Sequence, residues 1–438
     1  MPADSSERLM DIVIKNGRIV DPGRKIDEIG HVVISDGKIK ECGKTVQPPP
    51  ESPGARIVDA EGKLVLPGLI DIHTHLREPG QEYKEDISSG CAAAAAGGFT
   101  TICCMPNTEP VNDCAAVTRY ILEKAEKAGL CRVLPVGAMT KGRKGESLAE
   151  IGEMVESGCV AVSDDGDGVG NGGLMRRILE YAKTFGVPAI QHCEDIKLSR
   201  HAPMHEGVMS TRAGLAAQPA VAETAMLYRD LELVRLTGAR YHAAHISCAE
   251  SVELIRRAKK MGLPVTAEVT IHHLTFTDEL CLEYDTNTKV NPPLRTKEDR
   301  DALRKGFADG TIDALVTDHA PHTSIEKGLE YDYAAFGIVG LETALPLGLA
   351  LVEEGIVELK RLVEAWTSVP AKILGIQAGS LAPGSSADVA VVDPNEKWIV
   401  KPETLRSKSS NTPLLGKEVQ GRVKTTIFKG VVSHPVVE

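Results

Sequence analysis

The sequence predicts a (β/α)8 TIM barrel with a small β-sandwich domain formed by both chain termini. Two observations predict it. Through the middle of the 438 residues, eight short apolar or β-branched runs alternate with helical patterns, which implies a parallel barrel. Both ends read instead as short strands and turns, and two β-rich ends around a different middle suggest one small domain built from both. The expected division is 1–64 plus 380–438 for the sandwich and 65–379 for the barrel. A doubly wound open sheet is disfavoured, because no Gly-rich dinucleotide turn follows the first middle strand.

At the N-terminal end the strand-like runs are 11–15, 17–20, 32–35 and 55–59, with glycine and proline between them. The Pro-rich segment 46–54 is expected to be a surface loop. The middle strands, numbered 1 to 8, fall near 69–73, 100–104, 132–136, 159–163, 187–192, 241–245, 265–269 and 314–317. Ala92 to Ala96 is a helix-forming run stopped by Gly97-Gly98. Ser147-Leu-Ala-Glu150 has the form of a capping box and is expected to open the helix that ends at Gly158. Leu174, Ile178 and Ala182 recur at helical spacing, with Gly186 as the stop. Ala249 to Gly262 predicts another helix. The tail returns to strands at 387–393, 423–429 and 431–432.

Composition narrows the function. Charged residues are 25% and hydrophobic residues 42%, as in a soluble globular protein. The formal net charge is -11 with no Lys/Arg-rich run, so neither nucleic acid nor an anionic membrane is an expected partner. The N-terminal MPADSSERLMDIVIKNG lacks an apolar h-region, and no later stretch approaches transmembrane length. The ten cysteines form no C-x-x-C pair. They are expected to be buried reduced thiols, and the setting cytoplasmic.

The polar residues that carry chemistry lie at the C-terminal ends of the predicted strands, where barrel active sites are built. Strand 1 ends in Asp-Ile-His73-Thr-His75-Leu-Arg77. Alternation turns His73 and His75 to one face and gives Arg77 the same parity. An H-x-H pair alone is as often a packing accident as a metal site. Strand 4 ends in Asp164-Asp165-Gly166, a good turn sequence in which parity lets only one aspartate face inward. Strands 5 and 6 end at His192 and His245, and strand 8 in Asp318-His319-Ala-Pro-His322. A single histidine there is more often structural, but histidines at neighbouring strand ends opposite an H-x-H reverse that reading. His242 and His319 are expected to be structural or to support a neighbouring ligand, and His272-His273 mostly structural. Four histidines with two aspartates exceed what one catalytic zinc takes, and suit two divalent ions sharing a carboxylate.

The order H-x-H, acidic bridge, His, His, Asp on a barrel with a split β-domain is similar to the amidohydrolase superfamily. Within it the chain resembles the class I dihydroorotases. The segments that carry the resemblance span nearly the whole chain: DIHTHLREPG (71–80), AAAAAGGFTTICCMPNT (92–108), SDDG (163–166), HCED (192–195), HAAHIS (242–247), KVNPPLR (289–295), TDHAPH (317–322) and FGIVGLET (336–343). The resemblance implies His73 and His75 on one zinc, His192 and His245 on a second, and Asp165 bridging them. It implies Asp318 as a ligand and the proton-transfer residue. Arg77, Asn107, Asn291 and His322 would hold the substrate together with His75, and the backbone of Phe336-Gly337 would contact its ring. The implied reaction is the zinc-dependent, reversible cyclisation of N-carbamoyl-L-aspartate to dihydroorotate in pyrimidine synthesis. The implied partners are a second copy in a homodimer and aspartate transcarbamoylase.

Three positions depart from the wider pattern. Many relatives bridge their metals with a carbamylated lysine, and no lysine ends strand 4, which disfavours a hydantoinase or allantoinase. Ala335 and Ile271 stand where prolines commonly precede Phe-Gly and His-His. Two other readings compete: a cyclic-amide hydrolase with a different substrate, and a non-catalytic subunit that scaffolds the transcarbamoylase. The retained ligand set argues against the second.

Overall fold

The structure is a computed structural model and describes residues 10–46 and 55–435. Of the expected surface loop 46–54, residues 47–54 lie outside the described residues, as do residues 1–9 of the N-terminal reading.

Eight strands form the barrel. They are β1 (Leu69–Thr74), β2 (Phe99–Cys104), β3 (Arg132–Gly137), β4 (Ala161–Ser163), β5 (Ala189–Gln191), β6 (Tyr241–Ala243), β7 (Val265–Thr270) and β8 (Ala314–Val316). Each pairs in parallel with the next, in chain order. Ile70, Ile72, Cys103, Val136, Ala161, Ile190, Ala314 and Val316 meet in one interior cluster. The outward set, including Ile102, Val162 and Leu315, packs under the surrounding helices. Short strands buried on both faces are what a helix-covered parallel sheet requires.

The ring closes between β1 and β8 through a side chain as much as through backbone. Thr74 and His319 form an isolated parallel bridge, and His75 N–H donates to the His319 carbonyl at 2.9 Å. Asp71 lies fully buried across the seam. Its Oδ1 accepts His73 N–H at 3.0 Å, and its Oδ2 accepts Thr317 N–H at 3.1 Å and the Thr317 hydroxyl at 2.5 Å. Burial pushes this carboxyl up to about 7 against those hydrogen bonds.

The helices follow the expected spacing with one exception. α1 (Ile87–Ala96) stops at Gly97, and Gly98 takes φ +85°. α2 is Ala115–Ala128 and α3 is Ile151–Glu156. Ser147 does not cap α3. The segment around it pairs instead with the loop after β3, through the Thr140–Leu148 bridge and the hydrogen bond from Ala149 N–H to the Met139 carbonyl. The capping-box spacing was present, but tertiary pairing uses those residues first. α4 (Gly172–Thr184) buries Met175, Ile178, Leu179 and Ala182, and α5 (Val221–Thr237) packs beside it. α6 (Ala249–Lys260), α7 (Lys297–Ala308) and α8 (Ala344–Glu353) complete the ring.

The two ends make one further sheet. Strands Ile12–Asp21, Ile26–Ser35, Lys38–Gly43, Arg56–Asp59 and Leu64–Pro67 join Val389–Ile399, Glu418–Phe428 and Val431–Pro435. Its far edge returns to the segment before residue 389, through Ile39 N–H to the Ser385 carbonyl at 3.0 Å and Gly384 N–H to the Ile39 carbonyl at 2.8 Å. The expected sandwich is therefore a single sheet curled over its own core of Ile14, Ile19, Val32, Ile34, Val65, Val389 and Val391. The domain division that we propose, 1–64 plus 380–438 and 65–379, runs through strand Leu64–Pro67, which pairs in this sheet and hands the chain to β1.

All ten cysteines are free and most are buried. Among the described residues no helix is long and apolar enough to cross a membrane.

Candidate active site

The C-terminal ends of the strands converge on Asp165. β4 ends at Ser163, and the alternation inherited from Ala161 and Ser163 aims Asp165 at the axis. Asp164 points the other way, where its Oδ1 accepts Met139 N–H at 2.8 Å and Thr140 N–H at 3.0 Å. Around Asp165 stand four imidazoles. Its Oδ1 lies 3.1 Å from His73 Nε2, 3.5 Å from His245 Nε2 and 3.9 Å from His192 Nδ1, and its Oδ2 lies 3.6 Å from His75 Nε2. Asp318 completes the group, with Oδ1 at 2.9 Å from His75 Nε2 and 3.7 Å from His73 Nε2. All six side chains are buried.

His73 reaches this centre by breaking the strand pattern. Ile70 and Ile72 face the interior, so strict alternation would turn His73 outward with Asp71. The pairing of β1 with β2 shifts register between Asp71 and Thr74, and His73 lies in that interval. Arg77 also arrives by a route that parity does not describe. β1 has ended by then, and Arg77 sits in a left-handed turn at φ +61°. Its Nε donates to the Pro321 carbonyl at 3.2 Å and its terminal nitrogen meets His322 Nε2 at 3.1 Å.

The donor set fits a pair of cations. His73, His75 and Asp165 place ligand atoms within 4.8 Å of one another, as do Asp165, His192 and His245, and Asp165 belongs to both groups. His73 Nε2 and Asp165 Oδ1 face each other without a hydrogen-bond partner although both are buried. Buried polar atoms are almost always satisfied, so these two atoms point to a missing ligand. Charge gives the same reading. Asp165, Asp318 and Glu268 bring three carboxylates into one dry volume, which is costly unless positive charge joins them. Burial alone would push the Asp165 and Asp318 carboxyls up, but the surrounding histidines outweigh it and hold both well below the ordinary range. At His73 burial acts to lower the pKa, and the charges of Asp165 and Glu268 overcome it.

Two glutamates missed by sequence reading fix how the histidines present themselves. Glu268 on β7 accepts from His73 Nδ1 at 2.5 Å and lies 3.0 Å from His242 Nε2. Glu194 Oε2 lies 2.7 Å from His192 Nε2 and accepts Asn291 Nδ2 at 2.8 Å. Each carboxylate holds one ring nitrogen, leaving Nε2 of His73 and Nδ1 of His192 turned to Asp165. Such partners set tautomer and ring orientation in metal sites. The signal for Glu268 was a charge in the middle of the apolar strand VTAEVT, at inward parity. His242 meets Glu268, the carboxylate that holds His73, while His319 Nε2 lies 3.3 Å from Glu85 and its Nδ1 accepts Gly340 N–H. His273 bonds Thr270 and the Pro292 carbonyl, while neither ring nitrogen of His272 has a partner among the described residues.

A cleft of about 230 Å³ opens over the cluster. Every expected site residue except His73 lines it: His75, Arg77, Asn107, Asp165, His192, His245, Asn291, Asp318, His322, Phe336 and Gly337. Asn107 Oδ1 lies 2.9 Å from His75 Nδ1. Phe336 takes the Lys289 ammonium over its ring face at 4.3 Å.

Fold and site together define a barrel hydrolase, and the chain belongs to the amidohydrolase family, whose model matches residues 64–432. Its relatives are dihydroorotases. The chain is 52% identical over 425 residues to the dihydroorotase of Anaeromyxobacter dehalogenans (strain 2CP-C), covering 97% of this chain and 98% of that one. It is also 52% identical to the dihydroorotase of Geobacter metallireducens, covering 97% and 100%. Among solved structures, the L-hydantoinase (dihydropyrimidinase) from Arthrobacter aurescens superposes with a TM-score of 0.87 at 26% identity, covering 98% of this chain and 97% of that one. The dihydropyrimidinase from Brevibacillus agri gives 0.83 at 24%, covering 97% and 95%, a likeness of fold. The chain is thus a cyclic-amide hydrolase.

The Glu268→Gln variant should bind zinc roughly 10- to 100-fold more weakly, because the support of His73 is lost while its ring remains. Competition against a chromophoric chelator measures this, and unchanged affinity would show that Glu268 does not orient the ligand.

Proposed function

We propose that this protein is a class I dihydroorotase with two zinc ions per chain, catalysing the reversible cyclisation of N-carbamoyl-L-aspartate to (S)-dihydroorotate, the third step of pyrimidine synthesis. The observation that carries the reading is the placement of Arg77 and His322 on one wall of the cleft and the His–Asp cluster on its floor. Dihydroorotate has the matching halves, a carboxylate and a cyclic amide.

His73 and His75 would hold one ion, His192 and His245 the other, with Asp165 shared and Asp318 added at the first. The ions would lower the pKa of a shared water and polarise the ring carbonyl. The remaining work falls to the chain's own side chains. The Arg77 guanidinium pairs with the substrate carboxylate, and His322, Asn107 and Asn291 add donors around it. Phe336 and Gly337 contribute backbone against the ring. Asp318, held as a carboxylate by the histidines beside it, accepts a proton during ring opening and returns it to the leaving ring nitrogen. Closure runs the same proton backwards and starts from protonated Asp318.

The hydantoinase-like structures raise a second reading, a related ureide as substrate. Arg77 disfavours it, since hydantoin and dihydrouracil carry no carboxylate to pair with it. The ten free cysteines support a reducing, cytoplasmic setting. A homodimer and an association with aspartate transcarbamoylase complete the proposal and rest on the resemblance to dihydroorotases.

A substrate panel tests the reading: dihydroorotate should be hydrolysed, and turnover of hydantoin or dihydrouracil without dihydroorotate would overturn it. Arg77→Ala should raise KM for dihydroorotate roughly 10- to 100-fold, as for a lost charge-assisted pair, while zinc content stays that of the wild type. Loss of zinc in that variant would refute the assigned role. Because Asp318 must be ionised for opening and protonated for closure, ring opening should rise with pH and closure should be favoured as pH falls. Initial rates followed in both directions decide this, and two rates rising together with pH would contradict it.

A further inference from the structure

The substrate wall of the cleft is made by two loops that follow β8, one carrying Ala320 to His322 and the other Phe336 to Ile338. They press together closely. Gly337 adopts φ +120°, and a Cβ there would lie 2.5 Å from the Ala320 Cβ. Between themselves the loops share the hydrogen bond from Ala320 N–H to the Ile338 carbonyl at 2.8 Å. A third segment, distant in sequence, holds them. Residues 405–412 leave the terminal sheet between strands Val389–Ile399 and Glu418–Phe428 and run against the loops that follow β1 and β8. Glu342 accepts Arg406 N–H at 2.8 Å and Ser407 N–H at 3.1 Å, Glu85 accepts Lys408 N–H at 3.2 Å, and the Ser409 hydroxyl donates to the Lys84 carbonyl at 2.7 Å.

At the end of this strap Asn411 is buried and uses every polar group it faces inward. Its Nδ2 donates to the Ala320 carbonyl at 3.1 Å and to the Gly337 carbonyl at 3.1 Å, and its Oδ1 accepts His322 N–H at 3.0 Å. Its own carbonyl accepts Val339 N–H at 2.9 Å. One amide therefore ties both loops, and through His322 it fixes the partner of Arg77. The metal-ligand candidates stay outside this set. Asp318 precedes the clasped segment, and the other five lie at the ends of β1, β4, β5 and β6.

We infer that Asn411 is a positioning residue for substrate binding: the small terminal domain reaches over the barrel and sets the wall that receives the substrate carboxylate and ring. The inference rests on the dihydroorotase reading for the identity of the substrate, not for the clasp itself. A wall misplaced by about an ångström loses binding geometry steeply, so the effect should fall on KM.

Asn411→Ala should raise KM for dihydroorotate roughly tenfold or more, keep kcat within a few-fold, and keep the wild-type zinc content. Asn411→Asp has the same shape and keeps the acceptor for His322, but sets an oxygen against two carbonyls. It should not restore the wild-type KM, and it serves alone if the alanine variant fails to fold. Amide exchange should quicken at 320–322 and 337–339 in both variants. An unchanged KM, a wild-type KM in Asn411→Asp, or a loss confined to kcat or zinc would overturn the inference. If the wild-type protein does not turn over dihydroorotate, the functional reading fails by itself, and unchanged exchange at those loops would then still refute the clasp.

Discussion

The concentration of buried carboxylates at the strand ends is the constraint on which the rest of this molecule turns. Asp165, Asp318 and Glu268 lie together, buried, at and below the floor of the cleft. Coulomb repulsion in so dry a volume is large, and four imidazoles answer it only in part. Two divalent cations would discharge it, and the same two would give the cluster its chemistry. The strand ends, the tautomer-setting glutamates and the seam residue Asp71 are all arranged so that the ligand atoms converge there.

The barrel supplies convergence because alternate residues of every strand share one interior. Asp165, His192 and Asp318 inherit their direction from inward residues before them on their strands, Ala161, Ile190 and Val316 among them. The small sheet supplies something different. It carries no side chain of the cluster, yet its excursion at 405–412 bonds to the loops after β1 and β8 that stand behind the substrate wall. The barrel is thus a scaffold for the His–Asp cluster, while the segment 405–412 of the terminal sheet holds the loops behind the cleft wall.

Much of this was legible in the sequence, because it is written in local pattern. Each of the eight middle strands lies within three residues of its expected place, since short apolar runs between helical patterns have few other uses. His73, His75, Asp165, His192, His245 and Asp318 were legible because chemistry-bearing residues cluster at one end of barrel strands. Other parts depend on pairing that no local pattern shows. Parity put Arg77 on the side of His75, but that argument stops applying after Thr74, and a left-handed turn is what brings the residue to the cleft. Ser147 had the spacing of a helix cap and lost it to a bridge with the preceding loop. The side chain of Asn411 acts across separations of 74 or more residues, so its partners were invisible until the chain was folded, and Glu194 joins the neighbouring His192 to an Asn291 that lies 97 residues away.

The most direct test of the central claim is the zinc stoichiometry of the wild-type protein beside Asp165→Ala, measured after equilibrium dialysis. Two zinc ions per wild-type chain, with occupancy falling at both sites when the shared carboxylate is removed, is the result this account predicts. A wild-type protein that binds one ion or none, or an Asp165→Ala variant that keeps two, would contradict it.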